Sequence, residues 1–224
     1  MNATAIDPRL DAGSPTTRDE TRLRLLRAAV EVFARHGYHG ASTREICECA
    51  GANSAAIHYH FRDKAGLYQE LFRLPMEQVL EVSRPMTDRS LPMHERLRHF
   101  YRGLLSVLSC DEWLAKLILL HAREEVEPSG VLGDCHTQAI RPHHDQLVTL
   151  LRQEFQRDTL DDDLHALAFA MVGVALIYFM GRPEVEAFAP ALLATPEARE
   201  ALVTRSALFG QALMDAEKAR RSAA

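Results

Sequence analysis

The chain has 224 residues, of which 47% are hydrophobic and 25% are charged, and its formal net charge is −5 at pH 7. This balance is typical of a soluble globular protein, and a core of this size needs no disulfide or metal to hold it. Four cysteines, Cys47, Cys49, Cys110 and Cys135, follow no disulfide or paired zinc spacing, so we expect reduced thiols in a cytoplasmic protein.

The N-terminus contains acidic residues and prolines and lacks the apolar core of a signal peptide. The most apolar run, Leu164 to Met180, includes His165 and is shorter than the ~20 residues that span a bilayer. We therefore expect a buried interface helix there and no membrane partner. Residues 1–73 carry a net charge of +1 and the remainder −6, a mild asymmetry that permits an N-terminal phosphate-binding face.

Helical periodicity dominates the sequence and predicts an all-α fold. Residues 1–17, rich in Pro, Gly, Asp and Thr, are predicted to form a mobile tail. The first helix is predicted from Arg18 to His36, where Gly37 ends it.

A second helix is predicted to begin at the capping box Ser42-Thr43-Arg44-Glu45 and to stop at Gly51. A third, short helix follows at about 54–60. Asp63 is predicted to cap a fourth helix, and Pro75 should kink or end it near Leu74 because proline lacks the backbone N–H.

The rest of the chain is predicted to form a larger helical body. The expected domains are the tail 1–17, a helix-turn-helix head 18–74 and an effector-binding and dimerisation body 75–224. The body helices are predicted at roughly 76–84, 92–108, 111–125, 130–155 with a kink at Pro142, 162–181 and 197–217.

A helix, a glycine turn and a short helix form the geometry that presents one helix to the DNA major groove. Apolar contacts between the second and third helices should lock the pair, through Ile46, Ala50, Ile57 and Phe61. On spacing alone, a plain helical corner in an all-α protein remains the alternative.

The lock leaves polar and small side chains for the outer face of the third helix. Asn53 and His58 can bond base edges, while Ala55 or Ala56 can touch a thymine methyl group. Hydroxyls, imidazoles and an ammonium near helix N-termini suit phosphates, which indicates Thr43, Tyr59, His60 and Lys64.

The segment from Phe33 to Leu71 resembles the DNA-binding domain of the TetR family of bacterial regulators. The resemblance rests on Gly37, Ser42-Thr43, Ala50-Gly51, Tyr59-His60-Phe61 and Lys64. It implies DNA-contact roles for Thr43, Arg44, Asn53, Ser54, Ala55, His58, Tyr59, His60 and Lys64. The sequence departs from the family at His58, where many members have tyrosine, and at Ala55-Ala56, where Gly-Thr is frequent.

The variant AGANSAAIHYHF, with AREEVEP at 122–128 and IRPHHDQLVTLL at 140–151, looks like the CerR-type subgroup. The resemblance implies a homodimeric repressor that binds an inverted-repeat operator in double-stranded DNA and is released by a small-molecule effector. It also suggests control of a transport or efflux operon.

In the body, the resemblance implies an effector pocket, for which we select aromatic and polar side chains that need a partner when buried. These candidates are Phe100, Trp113, His121 and Tyr178. The helices at 162–181 and 197–217 look like the family's four-helix dimer interface, with a monomeric core as the alternative.

Two other classes of function compete with this interpretation. A metal sensor would use Cys135, His136, His143, His144 and His165, although no His pair has i, i+4 spacing. An enzyme is disfavoured because the sequence has no nucleophile elbow and no glycine-rich phosphate loop. We expect no catalytic residue, no bound metal and no cofactor.

Overall fold

The computed structural model describes residues 17–106, 108 and 112–223, and in this part of the chain every regular element is helical. The all-α prediction is confirmed. The predicted tail, apart from Thr17, lies outside the described residues. The helices are α1 Thr17–Gly40, α2 Thr43–Ala50, α3 Ala55–Phe61, α4 Lys64–Ser83, α5 Met93–Ser106, α6 Glu112–Val126, α7 Cys135–Glu154, α8 Asp162–Met180, α9 Arg182–Phe188 and α10 Pro196–Ser222.

The chain folds into two compact units. Unit 1 contains the residues up to Pro75 together with 110–139, and unit 2 contains 76–109 together with 140–224. Helix α6, which follows the head in sequence by many residues, therefore belongs to unit 1. The functional division into a DNA-binding head and an effector-binding body stays a prediction.

Among the described residues, two prolines lie in helix interiors, beyond the first turn. Pro75 does not end the fourth helix, because α4 continues through it from Lys64 to Ser83, and Pro142 lies within α7. The prediction of a separate helix beginning at residue 76 is therefore wrong. A proline removes one backbone hydrogen bond, and the apolar side chains that α4 buries on both sides of Pro75, among them Leu71, Phe72 and Val79, offset that loss.

Unit 1 has an aromatic core that joins the first and fourth helices. Phe33 meets Tyr68 edge to face with ring centroids 4.8 Å apart, and Tyr68 contacts Phe72 at 5.0 Å. Helix α6 closes this unit against α1 and α4: Lys116 Nζ donates to Glu31 at 2.7 Å, and the Tyr68 hydroxyl donates to the buried Glu124 carboxylate at 2.8 Å. Burial and this carboxylate raise the pKa of Tyr68 well above its usual range.

Unit 2 is built around α5, α8 and α10. The buried Tyr101 hydroxyl of α5 donates to the Met171 carbonyl of α8 at 3.1 Å. Gly210 of α10 lies against the same ring, where an added Cβ would stand 2.7 Å from the Tyr101 hydroxyl oxygen. A larger residue at 210 would therefore separate α10 from α5.

Candidate nucleic-acid interface

Both ends of α2 are closed by the residues that the sequence indicated. The Ser42 hydroxyl accepts from the Glu45 backbone N–H at 3.1 Å. At the other end Gly51 adopts a left-handed conformation, φ 58° and ψ 39°, and the Ala52 N–H donates to the Cys47 carbonyl at 2.9 Å. A side chain at 51 would strain this turn, so glycine fixes the angle at which α3 leaves α2.

The apolar lock between α2 and α3 is confirmed. Ile46, Ala50, Ile57 and Phe61 are all at most 6% exposed. Cys47 joins them as a buried side chain, whereas Cys49 is exposed. Because the lock buries one face of α3, the opposite face is exposed and can contact a ligand.

Asn53 has a structural task at the start of α3. Its side-chain oxygen accepts from the Ala55 backbone N–H at 2.9 Å, and its backbone carbonyl accepts from the Ala56 N–H at 2.9 Å. This is the bonding of a helix cap. The amide nitrogen of Asn53 remains available to donate to a base, so one side chain serves both the cap and the proposed readout.

The outer face of α3 presents Ser54, Ala55, His58 and Tyr59, all exposed. Tyr59 is 64% exposed, and the Arg18 guanidinium lies 5.1 Å from its ring centre. This stacking places a cation from α1 over the tyrosine ring. The two groups together suit a phosphate.

The other predicted contacts differ in their surroundings. Thr43 is the exposed first residue of α2, and Arg44 beside it donates to Glu48 at 2.8 Å with its side chain 88% exposed. His60 is only half-exposed. Its burial, reinforced by Arg18 and Arg22 and opposed by Asp19, lowers its pKa, so His60 favours the neutral form.

Lys64 is more constrained than the sequence indicated. Its ammonium donates to the carbonyls of Tyr38 and Ala41, both at 2.9 Å, and lies 4.4 Å from the Tyr38 ring centre. It therefore ties the start of α4 to the end of α1. One of its three N–H donors is left for a phosphate.

We expect Lys64→Met to have two separate effects. The free energy of unfolding should fall by about 1–2 kcal/mol, because two backbone carbonyls lose a charged donor. The salt dependence of DNA affinity should also flatten by about one phosphate contact. Chemical denaturation and binding titrations at several salt concentrations measure the two effects independently. A stability loss with an unchanged salt slope would leave Lys64 a purely structural residue.

Two arginines next to the outer face of α3, Arg62 and Arg18, were not among the DNA contacts predicted from the sequence. Arg62 is exposed and follows α3 with a positive φ of 72°, and its carbonyl lies 2.6 Å from His58 Nδ1. The position of Arg62 between Tyr59-His60-Phe61 and Lys64 is the sequence feature that could have indicated it. Arg18 could be found only from the packing of α1 beside Tyr59.

The four effector-site candidates divide between the units. In unit 2, Phe100 is fully buried and stacks on His143 with ring centroids 5.3 Å apart, and Tyr178 is half-buried. In unit 1, Trp113 and His121 lie on α6, and the His121 ring is 4.2 Å from that of Phe72. Trp113 Nε1 is buried without a hydrogen-bond partner among the described residues.

The residues of the metal hypothesis are only partly assembled. His144 Nε2 lies 3.0 Å from His165 Nδ1, whereas His143 stacks on Phe100 and Cys135 begins α7 in unit 1. The side chain of His136 lies outside the described residues. In the described part of the chain, no group of three or more His, Cys, Asp or Glu side chains is arranged to hold a metal ion.

Comparison with known proteins agrees with this arrangement. The sequence model of the bacterial regulatory proteins of the tetR family matches residues 25–71, and that of the C-terminal domain of the HTH-type transcriptional dual regulator CecR matches 93–214. CecR itself from Shigella flexneri is 28% identical over 181 residues, which cover 75% of this chain and 79% of that protein. The predicted subgroup corresponds loosely to this CecR type.

Two solved structures share the fold. The fatty acid degradation regulator FadR from Bacillus halodurans superposes with a TM-score of 0.65 at 18% identity, covering 91% of this chain and 97% of that one. AibR, solved with isovaleryl coenzyme A and operator DNA, gives a TM-score of 0.53 at 18% identity over 71% of this chain and 85% of its own. With a capped helix-turn-helix in unit 1 and a CecR-type C-terminal domain, the chain belongs to the TetR family of DNA-binding transcriptional regulators.

Proposed function

We propose that this regulator is a cytoplasmic homodimeric repressor that binds an inverted-repeat operator and leaves it when a small-molecule effector binds. The observation that carries the proposal is the exposed polar face of α3, whose opposite face is buried against the capped helix α2. A dimer would place two such helices about one DNA turn, ~34 Å, apart in successive major grooves.

Unit 2 offers a surface for the second subunit. Exposed apolar side chains follow one face of α8, with Phe169 65%, Ile177 56% and Met180 51% exposed. On the neighbouring helix α10, Leu208 is 66% and Phe209 47% exposed. Several exposed apolar side chains on two helices that pack together support a protein interface, and a two-fold axis would bury the same helices of both copies.

Helix α8 is also long and apolar enough to cross a membrane by length and composition alone. Its other face packs in unit 2, where Leu164, Ala168, Met171 and Ala175 are completely buried. Its N-cap Asp161 is bound by Arg221 of α10 at 2.8 Å. Because α8 packs on one face in unit 2 and its N-cap is bound by an arginine of α10, we propose a second copy of the chain as the partner of its exposed face.

The effector proposal is supported by analogy and by chemistry. AibR binds isovaleryl coenzyme A as well as operator DNA. In this chain, unit 1 offers Trp113 and His121 and unit 2 offers Phe100 and Tyr178, so each unit combines an aromatic ring with a polar group. We propose these four residues as the first positions to test, and a transport or efflux operon as the regulated target.

Selection of bound sequences from random DNA with the full chain tests the proposed function. We expect a selected inverted repeat, a complex with two subunits per operator, and a steep decrease of affinity with salt. Addition of candidate small molecules should then release the selected DNA. Enrichment of no sequence, or binding of a single half-site by a monomer, would contradict the proposal.

A further inference from the structure

The His58 ring on the outer face of α3 is held by one backbone contact. Its Nδ1 lies 2.6 Å from the carbonyl oxygen of Arg62. Arg62 caps α3 with φ 72° and ψ −49°, a conformation that L-residues rarely adopt. Because Arg62 has left the helix, its carbonyl is no longer directed along the helix axis and meets the ring.

This contact determines the tautomer of the neutral ring. A carbonyl oxygen can only accept a hydrogen bond, so Nδ1 must carry the hydrogen and donate it. In neutral imidazole the other nitrogen then has no hydrogen. The exposed Nε2 of His58 is therefore an acceptor, and it meets no partner among the described residues.

An acceptor at this position restricts what His58 can bind. Phosphate oxygens are themselves acceptors, so neutral His58 cannot bond the DNA backbone through Nε2. In the major groove only two base edges present hydrogen-bond donors, namely the N6 amino group of adenine and the N4 amino group of cytosine. Guanine and thymine present acceptors, and thymine adds a methyl group.

We infer that His58 is a specificity-determining residue that accepts a hydrogen bond from the exocyclic amino group of adenine or cytosine in each operator half-site. This inference rests on the proposed binding of α3 in the major groove. It gives the base contact expected of His58 a defined polarity.

The neighbouring side chains have complementary tasks. Tyr59 with Arg18, and the remaining donor of Lys64, suit phosphates, while Asn53 presents an amide donor. His58 is thus a polar side chain of the exposed face of α3 that presents only an acceptor in its neutral form. A substitution that reverses this polarity should change which base is selected.

The experiment compares selected sequences for the wild-type chain, His58→Lys and His58→Phe at pH 8. Lysine can only donate, so His58→Lys should switch the preference at one position per half-site from A or C to G. His58→Phe should lose the preference at that same position. The position that changes among the three chains is the one that faces residue 58.

A second test then examines the exocyclic amino group of the selected base. If adenine is selected, its replacement by purine, which lacks the amino group, should weaken wild-type binding about tenfold and leave His58→Phe unaffected. Replacement by 7-deazaadenine is the matched control, because it removes only the ring acceptor and should change neither protein. If cytosine is selected, N4-methylcytosine, which keeps the hydrogen that pairs with guanine and replaces the major-groove hydrogen by a methyl group, serves in the same way, with 5-methylcytosine as control.

Two outcomes would overturn the inference while leaving the proposed function intact. One is a wild-type operator with G or T at the position that residue 58 faces. The other is a set of variants that select the same sites with uniformly reduced affinity, which would make His58 a positioning residue. Failure of the wild-type chain to select any sequence would overturn the proposed function and the inference together.

Discussion

Leu208→Asp should convert the proposed dimer into a monomer and reduce operator affinity at least a hundredfold. Leu208 is 66% exposed on α10, which packs against α8, and α8 exposes Ile177 at 56%. In a two-fold interface the substitution introduces two carboxylates, each removed from water without a partner, which costs several kcal/mol. A monomer holds one half-site and loses the contacts of the second recognition helix.

Sedimentation and DNA titration measure these two effects. Ile177→Asp, on the other helix of the same surface, should behave like Leu208→Asp. Val126→Asp is the matched control, because Val126 is 80% exposed but belongs to unit 1. All three variants should keep the helical content of the wild type. A dimeric Leu208→Asp with normal operator affinity would assign the apolar surface to another partner.

Local sequence signals were sufficient for the helix-turn-helix. A serine followed by glutamate three residues later, a glycine at the turn and four apolar positions define α2, Gly51 and the buried lock without reference to the rest of the chain. The capping groups satisfy backbone atoms within a few residues, and such short-range bonds depend little on tertiary context.

Features that depend on tertiary packing could not be predicted from the sequence in the same way. Pro75 lies within α4 because the surrounding apolar contacts outweigh one lost hydrogen bond. Those contacts are tertiary, so the local sequence does not reveal them. The carbonyls that engage Lys64 come from residues more than twenty positions earlier in the chain. The positive-φ cap at Arg62, which orients His58, contains no glycine or asparagine that would indicate it in the sequence.

His143 makes the stability of the protein depend on pH. The ring is 6% exposed in unit 2 and is stacked on Phe100 of α5. Burial, with a smaller contribution from the neighbouring His144, lowers its pKa to about 4. An unfolded chain returns the same imidazole to water, where its pKa is ~6.5.

The free energy of unfolding should therefore decrease as the pH falls. Above the unfolded pKa both states are neutral at this residue and its contribution is fully present. Between about 6.5 and 4 the unfolded chain binds a proton that the folded chain does not, so the unfolded state gains about 2 kcal/mol by pH 5. Denaturation of the wild type and of His143→Met at pH 7 and pH 5 measures this term as a difference.

The comparison with His143→Met is needed because other histidines, His60, His99 and His144, also have lowered pKa values and are present in both chains. Methionine fills a similar volume and cannot bind a proton, so only the contribution of residue 143 separates the two pH profiles. His94→Met, with a largely exposed imidazole, is the matched control and should follow the wild type. If the wild type and His143→Met lose the same stability between pH 7 and pH 5, the His143 ring is hydrated in the folded protein and its stacking on Phe100 is not maintained in solution.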